Sequence, residues 1–221
     1  MSKKMMLLAL SVVSAAMLAM PALASALPAH IDATSTFSVS GGVSVLQEKE
    51  GSASNGTGIG GSGAFTNTTT GTLNLTFTGV TAGPTPSGIN CGSTAQGHTE
   101  ASRVVTTTPL EFHLIMIATN RPGILITPNA ATGVFAHFRC FLVEKTVTGT
   151  GIIGEIIAPA CGVKSKTATV KFRGAGGTQE LLTYTNKTYD LHTNSAPTAS
   201  MDIPGNVTIT FPNERSITCT H

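Results

Sequence analysis

Tryptophan is absent from this 221-residue chain, tyrosine occurs only at Tyr184 and Tyr189, and charged residues make up only 11% of the sequence. Flat aromatic faces are what sugar-binding surfaces usually present, so their shortage counts against a glycan platform. The densest basic group, between Lys164 and Arg173, is too small and too spread out to neutralise a row of phosphates. We therefore expect no nucleic-acid partner.

Motifs of catalysis and cofactor binding are also missing. The chain has no G-x-S-x-G nucleophile elbow and no phosphate loop with Gly-Lys-Ser/Thr. Residues 149–154 match G-x-G-x-x-G, but Pro159 leaves no room for the helix that a dinucleotide site needs. We predict no catalytic residue and no cofactor, and we expect a protein that is not an enzyme.

The residue types that bind zinc suggest one alternative, a metal site formed by His137, Cys140, Cys219 and His221. His137 and Cys140 are three residues apart and fall on opposite faces of one predicted strand. The chain also has no C-x-x-C or H-x3-H spacing. We therefore predict no metal and assign the cysteines to disulfides.

The first 26 residues have the layout of a secretory signal peptide. Lys3 and Lys4 form a charged start, an apolar run extends from Met5 to Met20, and small-x-small cleavage sites end at Ala24 and Ala26. A membrane span needs roughly 20 apolar residues, so this run is short for an anchor. We predict cleavage after Ala26, a secreted or cell-surface protein, and no transmembrane segment afterwards. The Lys-Lys start and Ala-rich end are typical of bacteria.

Residues 27–221 are expected to form a single secreted β domain. Abundant threonine suits a pleated, half-exposed surface, and 24 glycines supply turns. About ten short strand patterns follow one another with no convincing helix between them. This predicts an all-β fold, an antiparallel β-sandwich or a partly open barrel of about ten strands.

Particular segments refine this picture. Val43-Ser44-Val45-Leu46 alternates apolar and polar residues as a half-buried strand does, and residues 47–50 look like a solvated strand end. The Gly/Ser/Thr-rich stretch near 51–70 is interpreted as a long loop or a flat strand of low specificity. Phe77, Phe138 and Ile209 lie on apolar strand phases and are predicted core residues.

Two segments, residues 114–117 and 134–143, are apolar on both faces. Such runs are typical of central strands covered on both sides, and the alternative is an exposed interface. We expect covered core.

The four cysteines, Cys91, Cys140, Cys161 and Cys219, all follow the signal peptide, so export predicts two disulfides with three possible connectivities. If the chain reverses at Thr150-Gly151, Cys140 faces Cys161 across an antiparallel pair, at a Cα separation that suits a disulfide. Cys91 with Cys219 then follows by elimination.

Three function classes remain. The first is a secreted binding or cell-envelope module that acts through loops or a sheet face on glycans, lipids or protein. The second is a structural or self-associating surface protein, and the third is an extracellular hydrolase. The sequence identifies no ligand-binding residue, and the partner, a surface ligand or a protein, stays open.

Overall fold

The computed structural model describes residues 28–49, 51–83 and 88–219. Within them it has 22 strands and two 3-10 helices, Thr94–Gln96 and Glu100–Ser102. In chain order the strands are β1 (His30–Ile31), β2 (Thr36–Gly41), β3 (Ser44–Glu48), β4 (Ala53–Gly56), β5 (Gly58–Phe65), β6 (Thr70–Thr78), β7 (Thr81–Ala82), β8 (Ile89–Gly92), β9 (Val104–Thr106), β10 (Leu110–Ala118), β11 (Arg121–Pro128), β12 (Val134–Cys140), β13 (Val143–Gly149), β14 (Ile152–Ala158), β15 (Lys164–Lys171), β16 (Gly174–Ala175), β17 (Thr178–Gln179), β18 (Thr183–Tyr184), β19 (Lys187–Thr188), β20 (Leu191–Thr193), β21 (Ala196–Asp202) and β22 (Val207–Thr218).

Two large antiparallel sheets organise these strands. Sheet A has the order β1-β22-β15-β14-β11-β10-β6-β5-β2, with β9 beside β6, and it closes on itself because β2 also pairs with β22. Sheet B is a closed barrel in the order β12-β13-β20-β21-β3-β4-β7-β8. The pairs β16–β17 and β18–β19 form two small ribbons. The predicted all-β, antiparallel fold is confirmed, and the barrel of sheet B is closed rather than partly open.

For the stretch near 51–70 the sequence predicts a long loop or a flat strand; the loop is wrong, because the strands β4 and β5 occupy most of it. Glycines that looked like loop residues make room for aromatic rings of neighbouring strands. A Cβ at Gly63 would lie 2.3 Å from Cζ of Phe37, and one at Gly71 would lie 2.5 Å from Cζ of Phe112. The two rings meet edge to face with centroids 5.5 Å apart. Glycine in these strands therefore serves packing.

The two doubly apolar segments differ. Leu114 and Met116 face the main core, while Ile115 is buried on the other side beneath Tyr184 and Tyr189, so residues 114–117 are covered as predicted. In 134–143 the burial ends at Cys140. The hairpin turn after it, Phe141-Leu142, is exposed, with 79% of Leu142 accessible.

The predicted disulfide pairing is wrong. Cys91 is bonded to Cys140, and Cys161 to Cys219, with Cα separations of 4.2 and 5.6 Å. The register argument failed because the chain reverses at Phe141-Leu142, so that Cys140 is opposite Val143 on one side and Cys91 on the other.

The segment around Thr150-Gly151 connects sheet B to sheet A and does not form a hairpin within one sheet. β13 ends in sheet B at Gly149, and β14 begins in sheet A at Ile152. Gly149 and Gly151 both have positive φ, 139° and 155°, a conformation that glycine adopts at least cost. Cys161 therefore enters the β14–β15 turn of sheet A and meets Cys219 at the end of β22.

The predicted signal peptide lies outside the described residues. Within them, no helix is long and apolar enough to cross a membrane.

Candidate ligand-binding cavity

An apolar cavity of about 70 Å³, here called chamber 1, lies where sheet B faces sheet A. Sheet B contributes Leu46, Phe138 and Val147 to its wall, and sheet A contributes Phe77 and Ile126. None of the described residues that line it is charged. Protein interiors contain few voids larger than a water molecule, so this space is a distinguishing feature of the fold.

A second apolar cavity of about 50 Å³, chamber 2, lies inside sheet A. The two chambers share the wall residues Leu75, Phe77, Ile126, Ile152 and Met201. These shared side chains form the partition between the two spaces. The interior therefore has a divided apolar site rather than a uniformly filled core.

The three predicted core residues, Phe77, Phe138 and Ile209, all line one or both chambers. Phe138 and Ile209 are buried, as expected from their strand phase. Phe77 packs against the core but is only partly buried, and it borders both chambers. Its large side chain does not fill the space around it, which alternation along β6 could not reveal.

Two serine hydroxyls stand out in the wall of chamber 1. Ser44 on β3 and Ser54 on β4 are 3% and 8% exposed. Ser44 is opposite Gly56 and Ser54 is opposite Leu46, so the two serines are diagonal neighbours on the inward face. Among the described residues, none donates a hydrogen bond to either hydroxyl or accepts one from it, and neither oxygen belongs to the fully buried side-chain atoms that lack a partner. Most buried hydroxyls in proteins are paired, so two unpaired ones at a cavity are informative.

Alternation in the sequence suggests that Val43 and Val45 face the core, but strand β3 buries the alternate residues instead. Val43, just before the strand, is 51% exposed, whereas Ser44, Leu46 and Glu48 are buried. The chain leaves sheet A after β2 and enters sheet B at β3, so the buried side is set by a new neighbour. Sequence reasoning missed Ser44 for this reason.

A buried ionic cluster continues the inward face beyond Leu46. The Nζ atom of Lys145 on β13 donates to Oε1 of Glu48 at 2.6 Å, and both residues are buried. The hydroxyls of Thr193 and Ser195 donate to the same oxygen at 2.8 and 2.9 Å. The interpretation of residues 47–50 as a solvated strand end is wrong for Glu48, because Lys145 supplies a buried counter-charge. Glu50 lies outside the described residues.

The environment of Glu48 acts on its carboxyl group in two directions. Burial raises the pKa of the carboxyl, but the hydrogen bonds from Lys145, Thr193 and Ser195 and the lysine charge lower it, and the net pKa lies below its ordinary value. Glu48 is therefore held as a carboxylate, and the ion pair is complete within the barrel.

This cluster resembles a nucleophile with a base, since Nζ of Lys145 lies 3.0 Å from Oγ of Ser195. A lysine acts as a base only as a neutral amine. Here Lys145 donates to a carboxylate, and a carboxylate with a lowered pKa is a weak proton acceptor. The arrangement therefore does not activate Ser195 as a nucleophile.

A second polar group lies near the surface, where Asp190 contacts both Thr150 and His192. Oγ1 of Thr150 and Nε2 of His192 lie 3.0 and 3.1 Å from the same carboxylate oxygen. The hydroxyl and the imidazole both contact the acid, not each other, so this is not the nucleophile–base–acid order of a catalytic triad.

Two of the four residues of the metal alternative cannot act as ligands. Cys140 and Cys219 are in different disulfides, which removes their sulfur atoms as ligands. His221 lies outside the described residues. Across the described part of the chain, no group of three or more His, Cys, Asp or Glu side chains could hold a metal ion.

The chain was also compared with known proteins. No family model, no curated protein and no solved structure matches it. The cavity and its wall are therefore the basis for inferring function.

Proposed function

We propose that this protein is a secreted, non-enzymatic binding module that holds a small apolar molecule in its interior. The observation that carries the proposal is chamber 1, an uncharged cavity of about 70 Å³ adjoining a second apolar space. Apolar protein cavities stay dry and can take up apolar molecules: an engineered cavity of about 150 Å³ binds benzene or xenon. The smaller chamber 1 suits an atom of the size of xenon better than a benzene ring. The ligand class is thus the lipid-like one among the ligands that the sequence left open.

Unfilled apolar space has a cost that a ligand can remove. Core cavities destabilise proteins by about 24 cal/mol per Å³, so chamber 1 corresponds to about 1.7 kcal/mol. A ligand that fills the chamber regains these contacts. Binding should therefore raise the free energy of unfolding by RT ln(1 + c/Kd), where c is the ligand concentration, so the gain grows with the logarithm of c once c exceeds Kd.

The proposed location rests on the N-terminal sequence and is compatible with the two disulfides, which persist in oxidising compartments. Cleavage after Ala26 would leave Leu27 as the first residue. N-terminal sequencing of protein recovered from the culture medium or the cell surface tests this. A sequence that begins with Met1 would contradict processing.

Binding is tested by recording amide NMR spectra under increasing xenon pressure. Wild-type protein should show saturable shifts at Val105, Ile126 and Phe138, which line chamber 1. Ala136→Val adds two methyl groups to the chamber wall and should weaken these shifts. The control is Ala168→Val, the same change at a buried alanine that borders neither chamber.

The control variant should lose about 1–3 kcal/mol through overpacking but keep the xenon response. No saturable shifts in wild-type protein, or an equal response in Ala136→Val, would overturn the proposal.

Self-association is a second candidate, favoured by the exposed β12–β13 hairpin tip. Phe141, Leu142 and Val143 are 62, 79 and 55% exposed. Ile89, 53% exposed, precedes Cys91 on β8, which runs beside β12. Clustered exposed apolar residues often mark contacts between proteins.

Sedimentation equilibrium should detect dimers of wild-type protein. Leu142→Ser should abolish these dimers, whereas Val163→Ser, a change at a 50% exposed valine elsewhere on the surface, should preserve them. A monomeric wild type at high concentration excludes this candidate.

A further inference from the structure

The hydroxyls of Ser44 and Ser54, which make no hydrogen bond to any other described residue, indicate which apolar molecule chamber 1 accepts. Both side chains line the chamber, both are more than nine-tenths buried, and they are diagonal neighbours on β3 and β4. A buried hydroxyl that gives up water without gaining a partner costs free energy. A purely hydrocarbon ligand would leave both groups unsatisfied.

Other polar groups near the chamber are already engaged. Thr107 also lines it, and its Oγ1 is held in place because it accepts the backbone N–H of Leu75 at 3.0 Å. The nearest charges on the same inward faces, Glu48 and Lys145, are bonded to each other. Among the described lining residues, the two serines are thus the hydroxyl groups that no other described residue holds by a hydrogen bond.

We infer that chamber 1 selects a neutral molecule with an apolar body and one oxygen function, such as an alcohol or a ketone, whose oxygen is hydrogen-bonded by Ser44 and Ser54. This inference rests on the proposed function and specifies its ligand. A serine hydroxyl both donates and accepts, so the pair can satisfy either a hydroxyl or a carbonyl oxygen.

The same wall disfavours ionised ligands. Burying a carboxylate requires a counter-charge or a full set of donors, and the described lining residues include no cation. Lys145 is committed to Glu48 and lies one inward position beyond Val147, which itself lines the chamber. A fatty acid anion should therefore bind more weakly than the corresponding alcohol.

Gly56 lies beside Ser44 and Ser54 in the wall of chamber 1, and these three residues are here called the polar end of the chamber. It is opposite Ser44, and a Cβ at position 56 would lie 2.7 Å from Oγ of Ser44. Any larger residue would compete with the hydroxyl for space. Glycine at this position leaves the Ser44 hydroxyl free to meet a ligand.

The test compares ligands of equal length, n-pentane, 1-pentanol, 2-pentanone and pentanoate at pH 7, by NMR titration of the full mature chain. Wild-type protein should bind 1-pentanol and 2-pentanone about tenfold more tightly than the Ser44→Ala/Ser54→Ala double variant does, which is the scale of one hydrogen bond. Affinity for n-pentane should be equal or higher in the double variant. Pentanoate should bind at least about tenfold more weakly than 1-pentanol.

A matched control is Ser200→Ala. Ser200 is fully buried and its hydroxyl is unpaired, but it does not line chamber 1. This variant should leave all four affinities unchanged. Each change removes one hydroxyl that makes no hydrogen bond to another described residue, so all variants should fold about as well as wild type, and thermal unfolding checks this.

The outcomes separate this inference from the proposed function. If n-pentane binds but the double variant binds 1-pentanol as tightly as wild type, the role of the serines is wrong and the cavity proposal stands. Preferential binding of pentanoate would also overturn the inference. If no ligand of the series binds, the proposed function fails together with it.

Discussion

Nζ of Lys145 lies 2.6 Å from Oε1 of Glu48 inside the closed barrel, although 97 residues separate the two in the chain. The pair links β13 to β3, and the hydroxyls of Thr193 and Ser195 complete the coordination of the carboxylate. Leu46 and Val147, each two residues along the same inward faces, line chamber 1. The ion pair therefore bridges two non-adjacent strands of the barrel next to the cavity.

Removing one partner of this pair should be costly. Lys145→Met leaves Glu48 buried without its counter-charge and should lower the free energy of unfolding by about 3–5 kcal/mol. Replacing both residues, as Glu48→Leu/Lys145→Met, should recover most of the loss. Urea unfolding at pH 7 measures both, and a single variant as stable as wild type would contradict the buried ion pair.

The cluster around Glu48 also predicts that the free energy of unfolding falls at acid pH. The pKa of Glu48 is lowered in the folded protein, so its contribution is present above the ordinary value of 4.5 and is lost as the pH falls through the folded pKa. Wild-type protein should therefore lose more stability below pH 4.5 than the Glu48→Leu/Lys145→Met variant. Urea unfolding curves between pH 7 and pH 3 test this, and parallel losses would count against it.

Tryptic mapping without reduction tests the disulfides, since cleavage after Lys and Arg places each cysteine in its own peptide. Residues 50–103 should be linked to 140–145, and 146–164 to 216–221. A link between 140–145 and 146–164 would instead support the register around Thr150-Gly151. With sequence separations of 49 and 58 residues, each bridge should contribute about 4 kcal/mol by loop-closure entropy.

Gly56→Ala should disturb the polar end of chamber 1. The new methyl group meets Oγ of Ser44, so we expect a stability loss of about 1–3 kcal/mol and weaker binding of 1-pentanol. Adding Ser44→Ala should relieve the loss of stability but not that of binding. Gly60→Ala is the control, because a Cβ there has no neighbour within 4 Å. Equal effects of the two glycine changes would mean that strand propensity, not contact with Ser44, is responsible.

Phe138→Ala should both destabilise the protein and enlarge chamber 1, because this buried ring forms part of its wall. The expected loss is about 3–5 kcal/mol, partly regained when a larger apolar ligand such as toluene fills the space. Thr208→Ser, a conservative change on the polar phase of β22, should alter stability by less than about 0.5 kcal/mol. A toluene response no larger than that of wild type would show that the ring does not limit the chamber.

The residue pattern along the chain determined the class of fold and part of the core. Period-2 alternation and abundant threonine indicated antiparallel strands, the even number of cysteines indicated two disulfides, and the doubly apolar residues 114–117 indicated a covered strand. Each of these follows from local spacing or composition, because alternation states which residues share a face.

Only the tertiary structure decided which face is covered and which strands are neighbours. The pairing of Cys91 with Cys140 depends on where the chain reverses, and the burial of Ser44 and Glu48 depends on β3 changing sheets. Strand register is set by contacts between residues far apart in the chain, and a shift of one residue exchanges the two faces. The cavity is a property of several strands together, because it is the space left between their side chains, and no single segment of the sequence encodes it.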